Sequence, residues 1–302
     1  MRDVSITEYT DPGSVWAWGS EPKLRLLRWR YGDQVSWRQV LGGFAEDESN
    51  HPLATGDRLD TTADAAEAFE SWRTVHAITG MPHPQRLKSV FTSTKLACLA
   101  VKAAQRQGDE VGERVLRRMR EWTFVLGERF DTQVAAVAAV SGVPGLDIDA
   151  YVAALSDPET MIAYQEDWEE TRRPNPQARQ LEDDHPGHGR VRADGNRFRY
   201  SFPTLVFEGP GGTFTVAGWR PLEDYLDAVE RAAGEPPLTP RPDPTTDEVI
   251  ARWGTAADVE LALLAGPRGS DPTGVVAHEW GGGVFFLTPA EARARGIEAP
   301  PR

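Results

Sequence analysis

The chain has 302 residues, with 33 lysines and arginines against 46 aspartates and glutamates, so its formal net charge is −13. This acidic balance argues against a nucleic-acid partner and against an anionic membrane surface. Hydrophobic residues make up 40% and charged residues 26%, which is typical of a soluble globular protein. Since Cys98 is the only cysteine, an intramolecular disulfide, a two-cysteine redox motif and a cysteine-built zinc site are excluded.

The sequence carries no sign of membrane targeting. No apolar run reaches the roughly 18 residues that a membrane span needs. Residues 1–9 alternate apolar and polar side chains, unlike the apolar core of a secretory signal. We therefore expect a cytoplasmic protein with no membrane partner.

Residues 1–61 predict one half of an α/β domain. Residues 4–9 alternate as a strand, and apolar residues at helical spacing follow over 24–31. Residues 35–40 alternate again and end at a glycine pair, which predicts a second strand. The predicted order is β-α-β.

The remaining chain divides into four segments. Residues 62–173 have apolar side chains three or four apart and predict a helical insertion. Residues 174–235 predict a loop, a β-hairpin and a helix that complete the α/β domain. The segment 236–244 holds five prolines and predicts a linker. Residues 245–302 predict a small winged-helix-like unit whose acidic charge argues against DNA binding and favours packing or partner docking.

Two motifs resemble a known family. Residues 11–19 read D-P-G-S-V-W-A-W-G and residues 202–206 read F-P-T-L-V. Both resemble the FrnE-like branch of the DsbA-type thioredoxin-fold family, whose first motif reads D-P-x-C-P-W-C-W-G. The resemblance implies an α/β thioredoxin-like fold with a large helical insertion and a small C-terminal helix-plus-hairpin extension. It also implies that Pro203 is a cis-proline beside the start of the first helix.

The first motif departs from the family at its reactive positions. Ser14 and Ala17 replace the two cysteines, and Val15 replaces the proline between them. Disulfide exchange needs a thiolate that attacks and a second thiol that resolves the mixed disulfide, and a hydroxyl supplies neither. Cys98 lies in an apolar helical pattern and is interpreted as a buried hydrophobic residue. The sequence therefore excludes a CxxC disulfide oxidoreductase.

Serine at this motif position suggests thiol binding. Kappa-class glutathione transferases and 2-hydroxychromene-2-carboxylate isomerases share the fold and place there a serine that hydrogen-bonds the sulfur of glutathione. The resemblance implies that Ser14 stabilises the thiolate of glutathione, or of an equivalent low-molecular-weight thiol, for transferase or isomerase chemistry. The thiol-binding residues it implies are Pro12, Val15, Trp16, Phe202, Pro203 and Thr204. The simpler alternative is that Ser14 only caps the helix.

Two other functions remain open. A redox-inactive adaptor could bind a peptide segment of a partner in the groove beside the cis-proline. A biosynthetic accessory enzyme of unknown reaction is the third possibility. The sequence favours thiol chemistry narrowly, because a serine is retained at the nucleophile position, and it carries no signal of oligomeric state.

The remaining candidates favour structural roles. Residues 183–188 read D-D-H-P-G-H and contain metal-ligand residue types, but loop spacing fixes no geometry. This segment is interpreted as a solvated polar loop, and no metal is predicted. Trp18, one helical turn after Ser14, is predicted to lie in the core, whereas Trp16 is predicted to line the groove.

Overall fold

The chain folds into two units, seen in a computed structural model that describes residues 4–44, 64–266 and 272–297. The first unit combines Met1–Gly42 with Gln165–Asp243, and the second combines Gly43–Tyr164 with Pro244–Arg302. The sequence-based domain boundaries stay a prediction. The structure nevertheless groups the residues that follow the proline-rich segment with the helical insertion.

The described part of the chain contains short strands and mostly short helices. The strands are β1 (Val4–Thr10), β2 (Val35–Leu41), β3 (Arg192–Asp194), β4 (Arg197–Arg199), β5 (Thr204–Gly209), β6 (Gly212–Ala217), β7 (Thr255–Ala257), β8 (Val276–Trp280) and β9 (Gly283–Leu287). The helices are α1 (Val15–Tyr31), α2 (Asp64–Thr79), α3 (Lys95–Gln105), α4 (Asp109–Phe124), α5 (Gln133–Val140), α6 (Ile148–Leu155), α7 (Pro158–Thr171), α8 (Pro176–Arg179), α9 (Leu222–Ala233), α10 (Thr246–Trp253), α11 (Asp258–Leu264) and α12 (Pro289–Ala294). No helix among these described residues is long and apolar enough to cross a bilayer.

A four-stranded sheet in the order β2-β1-β5-β6 forms the centre of the first unit. β1 pairs in parallel with β2 and antiparallel with β5, and β5 pairs antiparallel with β6. Apolar side chains from the sheet, from α1 and from α9 form its core, including Leu27, Phe207 and Val229. This arrangement confirms the α/β fold expected from the sequence, with the helical insertion between β2 and β5.

The two ends of the insertion are held together at the sheet. The backbone N–H of Leu41, the last residue of β2, donates to the Asp167 carboxylate at 3.0 Å. The Arg172 guanidinium donates to the carbonyl of Gly42, the next residue along the chain. Both contacts lie within the first unit, so the chain leaves this sheet and returns to it at one place.

A buried ion network lies in the second unit. Arg117 donates two hydrogen bonds to the Glu260 carboxylate, at 2.9 and 2.7 Å, and one to Glu121 at 2.8 Å. Arg295 donates to Glu121 at 2.6 Å. The network also includes Arg118 and Glu291, which pair at 2.6 Å. These contacts join α4 to residues that follow the proline-rich segment.

Several individual predictions can be compared with the structure. Trp18 and Cys98 are buried, which confirms their assignment to the core. Residues 172–196, predicted as a loop after the insertion, instead contain α8 and β3, and the partner strand β4 follows directly. The β3–β4 hairpin has two strands of three residues and many charged side chains, so it has no hydrophobic alternation to reveal it.

Candidate functional site

The altered motif forms the N-terminus of α1. The Asp11 carboxylate accepts a hydrogen bond from Gly13 N at 2.7 Å, and the Asp11 carbonyl accepts one from Ser14 N at 3.1 Å. This turn directs Ser14 into the helix start, where its Oγ accepts from Ala17 N at 3.3 Å. Ser14 is therefore the N-cap of α1, as the simpler alternative predicted.

The prolyl loop lies directly beside this cap. The Phe202–Pro203 peptide bond is cis, as the family resemblance implied. Ser14 Oγ donates to the Phe202 carbonyl at 3.0 Å, across 188 positions of sequence. On the other side of the loop, Gly218 N donates to the Pro203 carbonyl at 2.8 Å. Thr204 is buried, and its hydroxyl donates to the Ser201 carbonyl at 2.7 Å.

These contacts already occupy the Ser14 hydroxyl. Its single proton is donated to Phe202, and its oxygen accepts from the helix backbone. Only 8% of Ser14 is exposed. A thiolate bound here would have to accept the Ser14 hydrogen bond in place of the Phe202 carbonyl, and that carbonyl would then be left without this donor in a buried position.

The Phe202 ring is enclosed by residues of the same unit. A Cβ atom added at Gly42 would lie 1.9 Å from Phe202 Cζ, so the ring packs against bare backbone there. The Arg199 guanidinium lies 4.9 Å from the ring centroid. Burial, with a smaller contribution from Arg172, lowers the pKa of Arg199 to about 10. The predicted thiol-binding residue Phe202 is thus a packed side chain.

A segment of the same chain packs over the motif. We call residues 183–189 the covering segment. A Cβ atom added at Gly187 would lie 2.8 Å from the Trp16 ring, and one added at Gly189 would lie 2.2 Å from the Ala217 backbone. Trp219 N donates to the Gly187 carbonyl at 2.8 Å, and His188 forms a β-bridge with Gly218. The covering segment therefore lies along the strand end that also holds the Pro203 carbonyl.

Aromatic contacts extend this packing. The His185 ring stacks on Trp219 with centroids 5.5 Å apart and meets Trp16 edge-on at 6.1 Å. The Lys23 ammonium lies 3.4 Å from the Trp219 ring centroid and donates to the Arg220 carbonyl. Burial lowers the pKa of Lys23 to about 8, although nearby carboxylates raise it. Trp16 is half-buried beneath this group.

Residues 183–188 form a loop with Asp184 and Pro186 exposed, but the interpretation of the whole segment as solvated was wrong for Asp183 and His185. Asp183 pairs with Arg220 at 2.9 Å, and the His185 ring packs between tryptophans. Sequence reasoning also missed Lys23 and Trp219 as neighbours of the motif. The available signal was the spacing of Gly187 and Gly189, because two glycines flanking one residue allow close approach to another backbone.

The other predicted site residues also lie at this place. Pro12 is buried and Val15 is half-buried. Hence the predicted residues are adjacent in the structure, while their role in binding a thiol stays a prediction. Within residues 4–44, 64–266 and 272–297, no three histidine, cysteine, aspartate or glutamate side chains are grouped to hold a metal ion.

The two hydrogen bonds of Ser14 give a stability prediction. Ser14→Ala removes the cap and the bond to Phe202, so the free energy of unfolding should fall by about 1–2 kcal/mol. The matched control is Thr132→Ala, because the exposed Thr132 caps α5 through one bond, from Ala135 N at 3.2 Å. Urea unfolding should show a smaller loss for Thr132→Ala. Equal losses would mean that the Phe202 bond adds nothing.

Comparison with known proteins identifies related folds. A family model described as thioredoxin matches residues 8–173. The chain is 24% identical over 266 residues to the ClpXP adapter protein SpxH of Shouchella clausii, covering 87% of this chain and 78% of that protein. It is 27% identical over 272 residues to the protein of the same name in Halalkalibacterium halodurans, with the same coverage.

The solved structures add a likeness of fold. Cytosolic disulfide reductase DsbM from Pseudomonas aeruginosa superposes with a TM-score of 0.51 at 15% identity, covering 74% of this chain and 97% of that one. A second structure of the same reductase was solved with GSH. At this identity the likeness concerns the fold alone.

Proposed function

Because this chain belongs to the thioredoxin family, the chemistry of its altered motif decides its role, and we propose that it is a redox-inactive adaptor that binds a partner protein. The observation that carries this proposal is the Ser14 hydroxyl, which is buried and bonded to the Phe202 carbonyl. Such a hydroxyl stabilises the fold and offers no free nucleophile. The curated relatives named ClpXP adapter protein SpxH support the same role.

Protein half-lives in the source organism test this adaptor role. After translation is stopped, the half-lives are compared in the wild type, in a strain lacking this chain and in a strain lacking ClpX. An adaptor for ClpXP-type proteolysis should give a set of proteins that persist longer in both mutant strains. If the two sets share no protein, the adaptor proposal fails.

Complementation separates adaptor activity from thiol chemistry. An adaptor does not use the Ser14 hydroxyl in a reaction, so Ser14→Ala should restore the short half-lives at equal protein level. Loss of complementation by a folded Ser14→Ala protein would contradict the adaptor role. Insulin reduction supplies a second check, because any turnover by this chain would overturn its assignment as redox-inactive.

Thiol binding stays the competing proposal, with glutathione or an equivalent as its cofactor. It is favoured by the position of Ser14 at the start of α1, where the helix dipole attracts a thiolate. A ligand at 100 times its Kd stabilises a protein by about 2.7 kcal/mol, so thiols should raise the melting temperature measurably. A rise that Ser14→Ala abolishes would replace the adaptor proposal with the thiol proposal. The cytoplasmic location expected from the sequence stays a prediction.

A further inference from the structure

A basic hairpin follows the covering segment directly. We define it as residues 190–199, which include β3 and β4. It contains four arginines and one aspartate, in a chain whose net charge is −13. Positive charge is therefore concentrated at one place on an otherwise acidic protein. Such a concentration attracts anionic groups.

The strand register places like charges opposite each other. Arg192 pairs with Arg199, and Asp194 pairs with Arg197, across the antiparallel ladder. Two positive side chains directly opposite on one sheet face destabilise the pairing. Partial burial of its guanidinium group, followed by the charge of Arg190, lowers the pKa of Arg192. A bound anion would relieve this repulsion.

Two acidic side chains near the hairpin are already engaged. Asp194 pairs with Arg172 at 2.6 Å, and Glu169 pairs with Arg197 at 3.0 Å. Arg190 and Arg192 are exposed, and neither has a carboxylate partner among the residues that the structure describes. These two guanidinium groups are therefore available to an external carboxylate.

The same hairpin also exposes an aromatic ring. Phe198 is 49% exposed and pairs with Ala193 on the ladder. Because side chains alternate along a strand, Phe198 lies on the face opposite Arg192 and Arg199. The ring therefore lies on the other side of the hairpin from Arg192 and is not part of a carboxylate-binding surface. The negative charge of the whole chain acts against any anionic partner, and it acts most strongly against nucleic acid, whose backbone has the higher charge density.

We infer that the basic hairpin is the surface on which this chain binds an acidic peptide segment of its partner protein. The inference rests on the proposed adaptor function and specifies the chemistry of the partner. Carboxylates of the segment pair with Arg190 and Arg192. The occluded groove beside Pro203 is not required for this mode of binding.

Fluorescence anisotropy with a labelled Glu-rich peptide tests this inference on the full chain. We expect binding at low salt that weakens at physiological salt, because exposed ion pairs are screened. Arg190→Gln/Arg192→Gln should weaken the affinity about tenfold, since each exposed ion pair contributes a modest amount. The melting temperature of this double variant should equal or exceed that of the wild type, because Arg192→Gln removes the repulsion with Arg199.

The matched control is Arg231→Gln/Arg241→Gln, which changes the net charge equally at exposed arginines elsewhere in the first unit. It should bind the peptide like the wild type. The inference is overturned by no binding at low salt, by an equal loss in the control, or by tighter binding of a single-stranded oligonucleotide than of the peptide. The purified chain is used throughout, so this result is independent of the half-life comparison that tests the adaptor function.

The two experiments together separate the two claims. If Arg190→Gln/Arg192→Gln fails to restore the short half-lives while Arg231→Gln/Arg241→Gln restores them, the inference is supported in the cell. If both restore them, the hairpin is not the partner surface, although the adaptor function stands. If the strain lacking this chain and the strain lacking ClpX have no stabilised protein in common, the adaptor function fails, whatever the peptide-binding experiment shows.

Discussion

Glu121→Gln is expected to lower the free energy of unfolding by about 3–5 kcal/mol, because it removes the negative charge of one carboxylate from a buried ion network. Glu121 is 2% exposed and accepts from Arg117 at 2.8 Å and from Arg295 at 2.6 Å. Glutamine keeps the size of the side chain but leaves the guanidinium groups without this carboxylate. Urea unfolding of the full chain measures the loss.

Glu110 provides the control on the same helix. It pairs with Arg114 at 3.3 Å and with Arg252 at 3.1 Å, but its side chain is 61% exposed. Glu110→Gln should therefore change stability by about 1 kcal/mol or less. If the two variants lose equal stability, burial does not strengthen the network and the expectation is wrong.

The same network predicts sensitivity to acid. Burial alone would raise the pKa of Glu121, but the surrounding arginines, Arg295 first, outweigh it and lower the pKa from 4.5 to about 2. The folded state therefore binds this proton less readily than the unfolded state does. Its contribution to stability is complete above pH 4.5 and is lost as the pH falls from there to about 2. The stability of Glu121→Gln should depend less on pH across this interval.

Gly42→Ala is expected to destabilise the first unit by about 1–3 kcal/mol, through overpacking against the prolyl loop. The new methyl group would lie 1.9 Å from Phe202 Cζ and 2.2 Å from Cε2, so the ring has to move. Since the Phe202 carbonyl accepts from Ser14, movement of this residue also disturbs the cap of α1. Urea unfolding should show the loss.

A double variant tests whether this clash is the cause. Phe202→Leu removes the ring atoms that the new methyl group would meet, and it is destabilising by itself. Gly42→Ala/Phe202→Leu should lose less stability than the sum of the two single variants, because neighbouring residues do not act independently. If the double variant loses as much stability as the two single variants together, the clash with Phe202 is not the cause of the Gly42→Ala effect.

Periodicity in the sequence predicted much of the fold. β1, β2 and α1 follow from apolar spacing, and the helical insertion follows from apolar residues three or four apart. The adjacency of Ser14 and Phe202 came from the family resemblance, because no local pattern links residues 188 positions apart. That adjacency was the central feature of the predicted site.

The contacts that distinguish this chain could not be predicted in the same way. Arg117 and Glu121 look like a solvated i,i+4 pair in the sequence of α4, and they are buried because Glu260 and Arg295 arrive from far along the chain. The covering segment looks like a polar loop in the sequence. The rings of Trp16 and Trp219, against which it packs, lie outside the segment, so its own residues do not reveal the packing. Charged residues become interior only when distant partners neutralise them, and local spacing does not reveal those partners.

The contact between Leu41 and Asp167 closes the helical insertion where it leaves the sheet, and this closure affects how related chains can differ in length. Leu41 and Asp167 meet at the sheet, with the whole insertion between them. The entropic cost of closing a loop rises only with the logarithm of its length, so the closure itself depends weakly on the number of residues in between. Relatives can therefore differ widely in the size of this segment while the position of the prolyl loop beside α1 stays unchanged.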